Sequence, residues 1–284
     1  MRAIDNITIN PPTDMVVPHT MQTVMTVAVG SVMVLLIAVA AVVSVQKRTP
    51  LYLLIMVGGA ICMFNETALD VLGHCYFPMH GDWAAYTTLG RAVPAWVAFA
   101  YVAYFGGLTM LTVLALRRGV SKKQIWGGLA AIEALNCLLE IPPLSKDLYT
   151  YYGEQPLRIA GEFPAVWLVF NCLGSFLAAT IIFRALPYLK GPRLGFVVLI
   201  PPVCQHAAFW LGVPYVAAIN SDASHGVMVG AALVTIALGL LVMHTLIDLV
   251  ADRGEPRPGL AAPEPVGVTP DLTQSAAPVP ALRH

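Results

Sequence analysis

Charge is what this chain has least of. Aspartate, glutamate, lysine and arginine make up 11% of its 284 residues, while 57% are hydrophobic and the mean hydropathy is +0.72. A water-soluble domain carries about 25% charge, so an ordinary soluble fold is excluded. Sixteen basic residues balance sixteen acidic ones, and without a basic excess nucleic acid is not an expected partner. The five cysteines, Cys62, Cys75, Cys137, Cys172 and Cys204, contain no CxxC spacing. That argues against a disulfide framework and against a zinc site. The glycine-rich phosphate loops, the GxSxG elbow and the HExxH box are missing too, as are aspartate-rich motifs that hold magnesium and a diphosphate. No lysine lies in the last apolar run to form a retinal Schiff base, and no histidines are spaced as in membrane di-iron boxes. Neither a metal nor a cofactor is expected.

What the chain has instead is apolar length. A bilayer-spanning helix needs about 20 mostly apolar residues, and seven segments qualify: 21–45, 51–73, 93–116, 125–143, 164–186, 194–218 and 225–250. The expected fold class is therefore all-α, an integral-membrane bundle of seven transmembrane helices over residues 21–250. Residues 1–20 read as a loose N-terminus, and 251–284, rich in Pro, Ala and Gly, as a disordered cytoplasmic tail. If the loop holding Lys47 and Arg48 is cytoplasmic, so are Arg117, Arg118, Lys122, Lys123, Arg184, Lys190, Arg193, Arg253, Arg257 and Arg283. Only Arg2, Arg91, Lys146 and Arg158 fall opposite, so twelve basic residues face four. This positive-inside bias predicts a multi-pass protein of the cell membrane with its N-terminus out and C-terminus in. Two outer loops, roughly His74 to Val93 and Leu144 to Phe163, are long and aromatic, as functional loops are. They are expected to cap something.

Ionisable and amide side chains inside the apolar runs are functional candidates by default. The second run carries Phe64, Asn65, Glu66 and Asp70, with the two acids four apart on one helix face. The fourth carries Glu133, Asn136 and Glu140, again one stripe. Asn171 lies in the fifth run, and Gln205 and His206 in the sixth, just past Pro201 and Pro202. With the orientation above, these groups converge on one level in the outer half of the bundle. Asn136 and Asn171 also suit interhelical hydrogen bonding, worth about 1 kcal/mol each. Asp70 and Glu140 also suit helix ends touching interfacial water, and His206 a satisfied core position.

A carboxyl group in an apolar pocket beside a second carboxylate resists ionisation, through desolvation and like charge. Such an acid can protonate a substrate at neutral pH. A carbocation formed that way is stabilised by aromatic faces, and Tyr76, Trp96, Trp167, Phe170 and Trp210 join Phe64 as candidate lining. The expected catalytic residues are Glu66 or Asp70 as proton donor, with Glu133 or Glu140 as partner or terminating base. Asn65, Asn136, Asn171 and His206 are expected at the substrate.

The stretch from Asn65 to Pro78 (NETALDVLGHCYFP), followed by Gly90 to Val97 (GRAVPAWV), resembles a family of seven-helix actinobacterial membrane proteins. In size and layout the chain is similar to the integral-membrane terpene cyclases of the drimentine type and, more distantly, to fungal meroterpenoid cyclases. The resemblance implies an isomerase or lyase that cyclises a lipophilic prenylated small molecule by protonating an alkene or an epoxide. It transfers no catalytic motif residue by residue, so the site residues rest on the reading above. The alternatives are a proton-coupled transporter, whose carboxylates would relay protons, and a membrane protein that binds a lipophilic ligand. Substrate and oligomeric state stay open.

Overall fold

The computed structural model describes residues 10–251, which are all-α apart from three short two-stranded pairings. Helices α1 (His19–Gln46), α2 (Leu51–Gly73), α3 (Ala95–Arg118), α4 (Lys122–Leu144) and α5 (Val166–Ala185) are each long and apolar enough to cross a bilayer. So is α8 (His225–Val250), while α6 (Gly191–Trp210) and α7 (Val213–Ile219) together make a seventh candidate span, bent by 59°. Each of the seven expected segments has its counterpart, with ends displaced by a few residues. α1 is rich in β-branched valine, a weak helix former in water. In an apolar solvent the backbone must satisfy its own hydrogen bonds, which favours helix whatever the propensity.

The sixth expected helix is not continuous. It opens as a 3₁₀ segment, Gly191–Leu199, with Pro192 in its first turn, and breaks again between Trp210 and Val213. Gly212 sits at that break against the Phe170 ring, where an added Cβ would lie 2.0 Å from Cζ. Pro214 opens α7; proline lacks the N–H that a continuing helix would need.

α5 is the axis of the bundle, with 72% of its apolar window buried against 11% for α1. Close contact around this axis depends on small residues. A Cβ on Gly59 of α2 would fall 2.3 Å from the Gly106 nitrogen of α3, and one on Gly239 of α8 would fall 2.0 Å from Val169 of α5. Within α3 the backbone opens into a π-helical stretch, Val102–Leu108. Such wide turns occur often at functional sites.

The two long loops join each other at one end of the bundle. Strand β1 (Cys75–Tyr76) pairs antiparallel with β4 (Thr150–Tyr151), and the Tyr152 N–H donates to the His74 carbonyl at 2.9 Å. A hairpin of β2 (Ala84–Thr88) with β3 (Arg91–Pro94) and a shorter pair, β5 (Arg158–Ile159) with β6 (Phe163–Pro164), complete this cap. The segment before α1 joins it: Val17 is buried and its N–H donates to the His80 carbonyl at 3.0 Å. That part of the N-terminus expected to be loose is thus held; residues 1–9 and the expected tail from 252 onward lie outside the described residues. At the opposite end Arg117 donates to the Tyr52 hydroxyl at 2.9 Å, and Lys122 pairs with Asp248 at 2.5 Å. These contacts bring together the start of α2, the end of α3, the start of α4 and the end of α8, as an up-and-down bundle requires.

Gly59→Ala overpacks the α2–α3 crossing and should cost about 1–3 kcal/mol, lowering the melting temperature in detergent. Gly127→Ala, where a Cβ would meet nothing within 4 Å, should leave it unchanged or raise it. Equal melting temperatures for the two variants would contradict the crossing.

Candidate active site

The carboxylates lie just below the cap, and each is met by a different element. Glu66 starts the helical turn that follows a 3₁₀ step, Cys62–Asn65, inside α2. Its Oε2 accepts the Tyr101 hydroxyl of α3, while Oε1 is neither hydrogen-bonded nor sealed off. Glu140 of α4 is arranged alike: Tyr149 of the second loop donates to its Oε2, and Oε1 stays open. Asp70, one turn along from Glu66, is 3% exposed and faces the Cys75 thiol of β1, with Arg91 of β3 close enough to act on its charge. Glu66 is within electrostatic reach of both Asp70 and Glu140. Three of the four expected acids therefore form one cluster.

Glu133 stands apart. It lies two helical turns from Glu140, about 10 Å along the axis, with the Cys172 thiol of α5 beside it and both carboxyl oxygens buried without a hydrogen-bond partner among the described residues. Tyr104 faces it from the π-helical stretch of α3, with a buried hydroxyl that has no protein partner among the described residues. The wide turn begins just after Tyr101, and of the two tyrosines, three residues apart, only Tyr101 hydrogen-bonds to an acid. The four acids thus occupy two loci rather than one level.

An amide pair supports Glu66 from behind. Asn65 Nδ2 donates to the Pro202 carbonyl at 3.0 Å and to Gln205 Oε1 at 2.9 Å, and Gln205 Nε2 donates to the Tyr101 hydroxyl at 3.1 Å. Asn65 is therefore turned to α6 rather than to an open space. Asn136 is buried with an unpartnered Nδ2, and the Asn171 side chain makes no hydrogen bond among the described residues. His206 packs edge-on to Trp210 at 5.9 Å, and its buried Nδ1 has no hydrogen-bond partner among the described residues.

Aromatic rings run from the cluster into the bundle. Tyr149, the partner of Glu140, stacks on Phe77 at 5.0 Å and touches Trp96 and Tyr151. Tyr151 leads to Trp167 at 5.7 Å, which meets Phe170 and Phe209. Of the expected lining, Trp96, Trp167 and Phe170 lie in or against this run. Tyr76 belongs to the cap, under the Arg91 guanidinium at 5.2 Å. Phe64 and Trp210 are 60% and 50% exposed and face outward. Sequence reasoning does not assign Tyr101, Tyr104 and Tyr149 to the acids. Tyr101 and Tyr104 stand out only as polar tips inside an apolar run, and no sequence signal marks Tyr149.

The chain matches no family model, no curated protein and no solved structure.

The cap carries its own titrating group. His74 ends α2 in a left-handed conformation (φ 55), stacks on Tyr152 at 5.1 Å and meets Asn220 Oδ1 at 3.1 Å. Burial, and secondarily Arg91, holds its imidazole below the usual histidine range, against an opposing pull from Asn220. The folded state thus favours neutral His74. Its contribution is complete above the unfolded value, about 6.5, and is lost as pH falls through the lower folded value. Melting temperature should fall on acidification in that window. His74→Asn, which tolerates the left-handed backbone and cannot titrate, should flatten the fall; an unchanged slope would contradict the assignment.

Proposed function

We propose that the chain is a multi-pass protein of the cell membrane that cyclises a lipophilic prenylated substrate, using a carboxylic acid as proton donor. One observation carries this reading. Glu66 and Glu140 each give one oxygen to a tyrosine hydroxyl and keep the other open, beneath a cap and beside a continuous run of aromatic rings. An acid with one free oxygen can deliver a proton. The aromatic faces can then stabilise positive charge without capturing it.

In this mechanism the proton leaves Glu66 Oε1 and forms a C–H bond with the electron pair of a terminal alkene. The resulting cation is attacked by the next alkene, closing a ring. Loss of a different proton, from a carbon beside the final cation, to Glu140 or Glu133 ends the reaction as an alkene, and Glu66 takes up a new proton before the next turnover. Asp70, beside Glu66, holds or shares the proton between turnovers. The paired loops keep out water, which would otherwise intercept the cation. The resemblance of the Asn65–Pro78 and Gly90–Val97 stretches to drimentine-type cyclases supports the same reaction class.

The membrane reading is supported by six helices, and a bent seventh, long and apolar enough to span. The basic residues Arg117 and Lys122 meet Tyr52 and Asp248 at the end away from the cap, so the positive-inside rule sets that end in the cytoplasm. The N-terminus is then outside and the C-terminus inside.

Reporter fusions after residues 48 and 120 and at the C-terminus should therefore report cytoplasm, and fusions near residues 80 and 152 the opposite side. A cytoplasmic signal at residue 80 would reverse the orientation. For the chemistry, Glu66→Gln should lower turnover about 10²–10⁴-fold while folded protein is retained, in a host supplying prenylated substrates. Near-wild-type turnover in both Glu66→Gln and Asp70→Asn would rule out α2 as the source of the proton.

A further inference from the structure

The hydrogen bonds behind Glu66 have a direction that chemistry fixes. The Pro202 carbonyl can only accept, so the Asn65 atom 3.0 Å from it must be the amide nitrogen. That same nitrogen lies 2.9 Å from one terminal atom of Gln205, which must then be the oxygen. Gln205 therefore turns its own nitrogen to the Tyr101 oxygen, at 3.1 Å. With its oxygen accepting from Gln205, Tyr101 directs its hydrogen to Glu66 Oε2. An Asn or Gln side chain is often ambiguous in orientation, but here a backbone carbonyl settles both.

The far end of this hydrogen-bond chain constrains the acid. Because Oε2 receives the tyrosine hydrogen, a protonated Glu66 carries its own hydrogen on Oε1. We infer that Asn65, Gln205 and Tyr101 are positioning residues, a one-way relay anchored on the Pro202 carbonyl that holds the Glu66 proton on the oxygen open to substrate. Gln205 is 3% and Tyr101 6% exposed, so water does not compete for these bonds, and a buried network of this kind acts as a unit. Asn65 thereby serves the acid from α2 and α6 instead of touching substrate. The relay deepens the cyclase reading and depends on it for the kinetic test alone.

Asn65→Asp tests the direction at constant shape. Ionised or protonated, the introduced aspartate has at most one hydrogen for the two acceptors that Asn65 now serves. Gln205 then turns its nitrogen to the new carboxyl group and its oxygen to Tyr101, which gives its hydrogen to Gln205 and leaves Glu66 Oε2 without a donor. Asn65→Asp and Tyr101→Phe should each lower kcat about 10-fold, the worth of one such hydrogen bond, with KM unchanged. The double variant should lose no more than either single one, because both cut the same relay. Wild-type kcat in Asn65→Asp, or losses that multiply in the double variant, would overturn the relay. Gln205→Met, similar in length and lacking the amide, should give the same loss if Asn65→Asp fails to fold, and wild-type kcat there would overturn it equally. Infrared spectra supply a readout independent of turnover. The carbonyl band removed by Glu66→Gln should shift to higher frequency, and equally, in Asn65→Asp and Tyr101→Phe; an unshifted band in Asn65→Asp would overturn the relay. A wild type that makes no cyclised product would refute the cyclase reading, and the infrared arm would then decide the relay alone.

Discussion

In the hydrocarbon of a bilayer no water arrives to complete a hydrogen bond, and each polar group left unanswered costs several kcal/mol. A carboxyl group placed there needs partners from the protein itself. In this chain the partners of the cluster's two glutamates are phenolic: Tyr101 for Glu66 and Tyr149 for Glu140. A tyrosine suits the task because its ring is at home among apolar side chains and only its tip is polar. It satisfies one carboxyl oxygen without supplying a counter-charge, as an arginine would. Among the described residues neither glutamate forms an ion pair that would fix it as a carboxylate.

Much of the architecture follows from placing those two hydroxyls. Tyr101 reaches α2 because α2 and α3 approach closely where Gly59 meets Gly106, and because Tyr101 immediately precedes the π-helical stretch of α3. Tyr149 reaches α4 because the second loop is tied to the first through the β1–β4 pairing, which sets the loop directly over the cluster. The same pairing carries Tyr151 into contact with Trp167 of α5. One short ladder thus fixes the cap, an acid's partner and the aromatic run. Arg91, the cap's inward-facing cation, is held between the rings of Tyr76 and Tyr152 and donates to the Tyr152 hydroxyl at 2.9 Å.

Hydropathy makes the long helices legible in the sequence to within a few residues, since each is an apolar run long enough to cross a bilayer. It does not show the break at Trp210–Val213, because Gly212 and Pro214 sit in an otherwise apolar run whose average conceals them. The acids are legible for the opposite reason, as rare charges in an apolar context. Their partners are not. Tyr149 is nine residues beyond Glu140 and across a turn, and Tyr101 is on another helix, so no spacing rule connects either to its acid. Glu133 and Glu140 share a stripe, which suggests one site, yet two turns of helix set them at separate loci with different neighbours. The direction of the Asn65–Gln205–Tyr101 bonds needs coordinates, because it depends on which atom faces the Pro202 carbonyl.

The proposed chemistry makes a direct claim about where one hydrogen atom originates. If Glu66 protonates a terminal alkene, and exchanges with solvent between turnovers, that hydrogen comes from water and ends on carbon. Turnover of an alkene-terminated prenylated substrate in deuterium oxide, followed by mass and magnetic-resonance analysis of the product, measures this. The expected product carries one deuterium per molecule, bonded to the carbon where cyclisation begins. A cyclised product with no deuterium on carbon would contradict it.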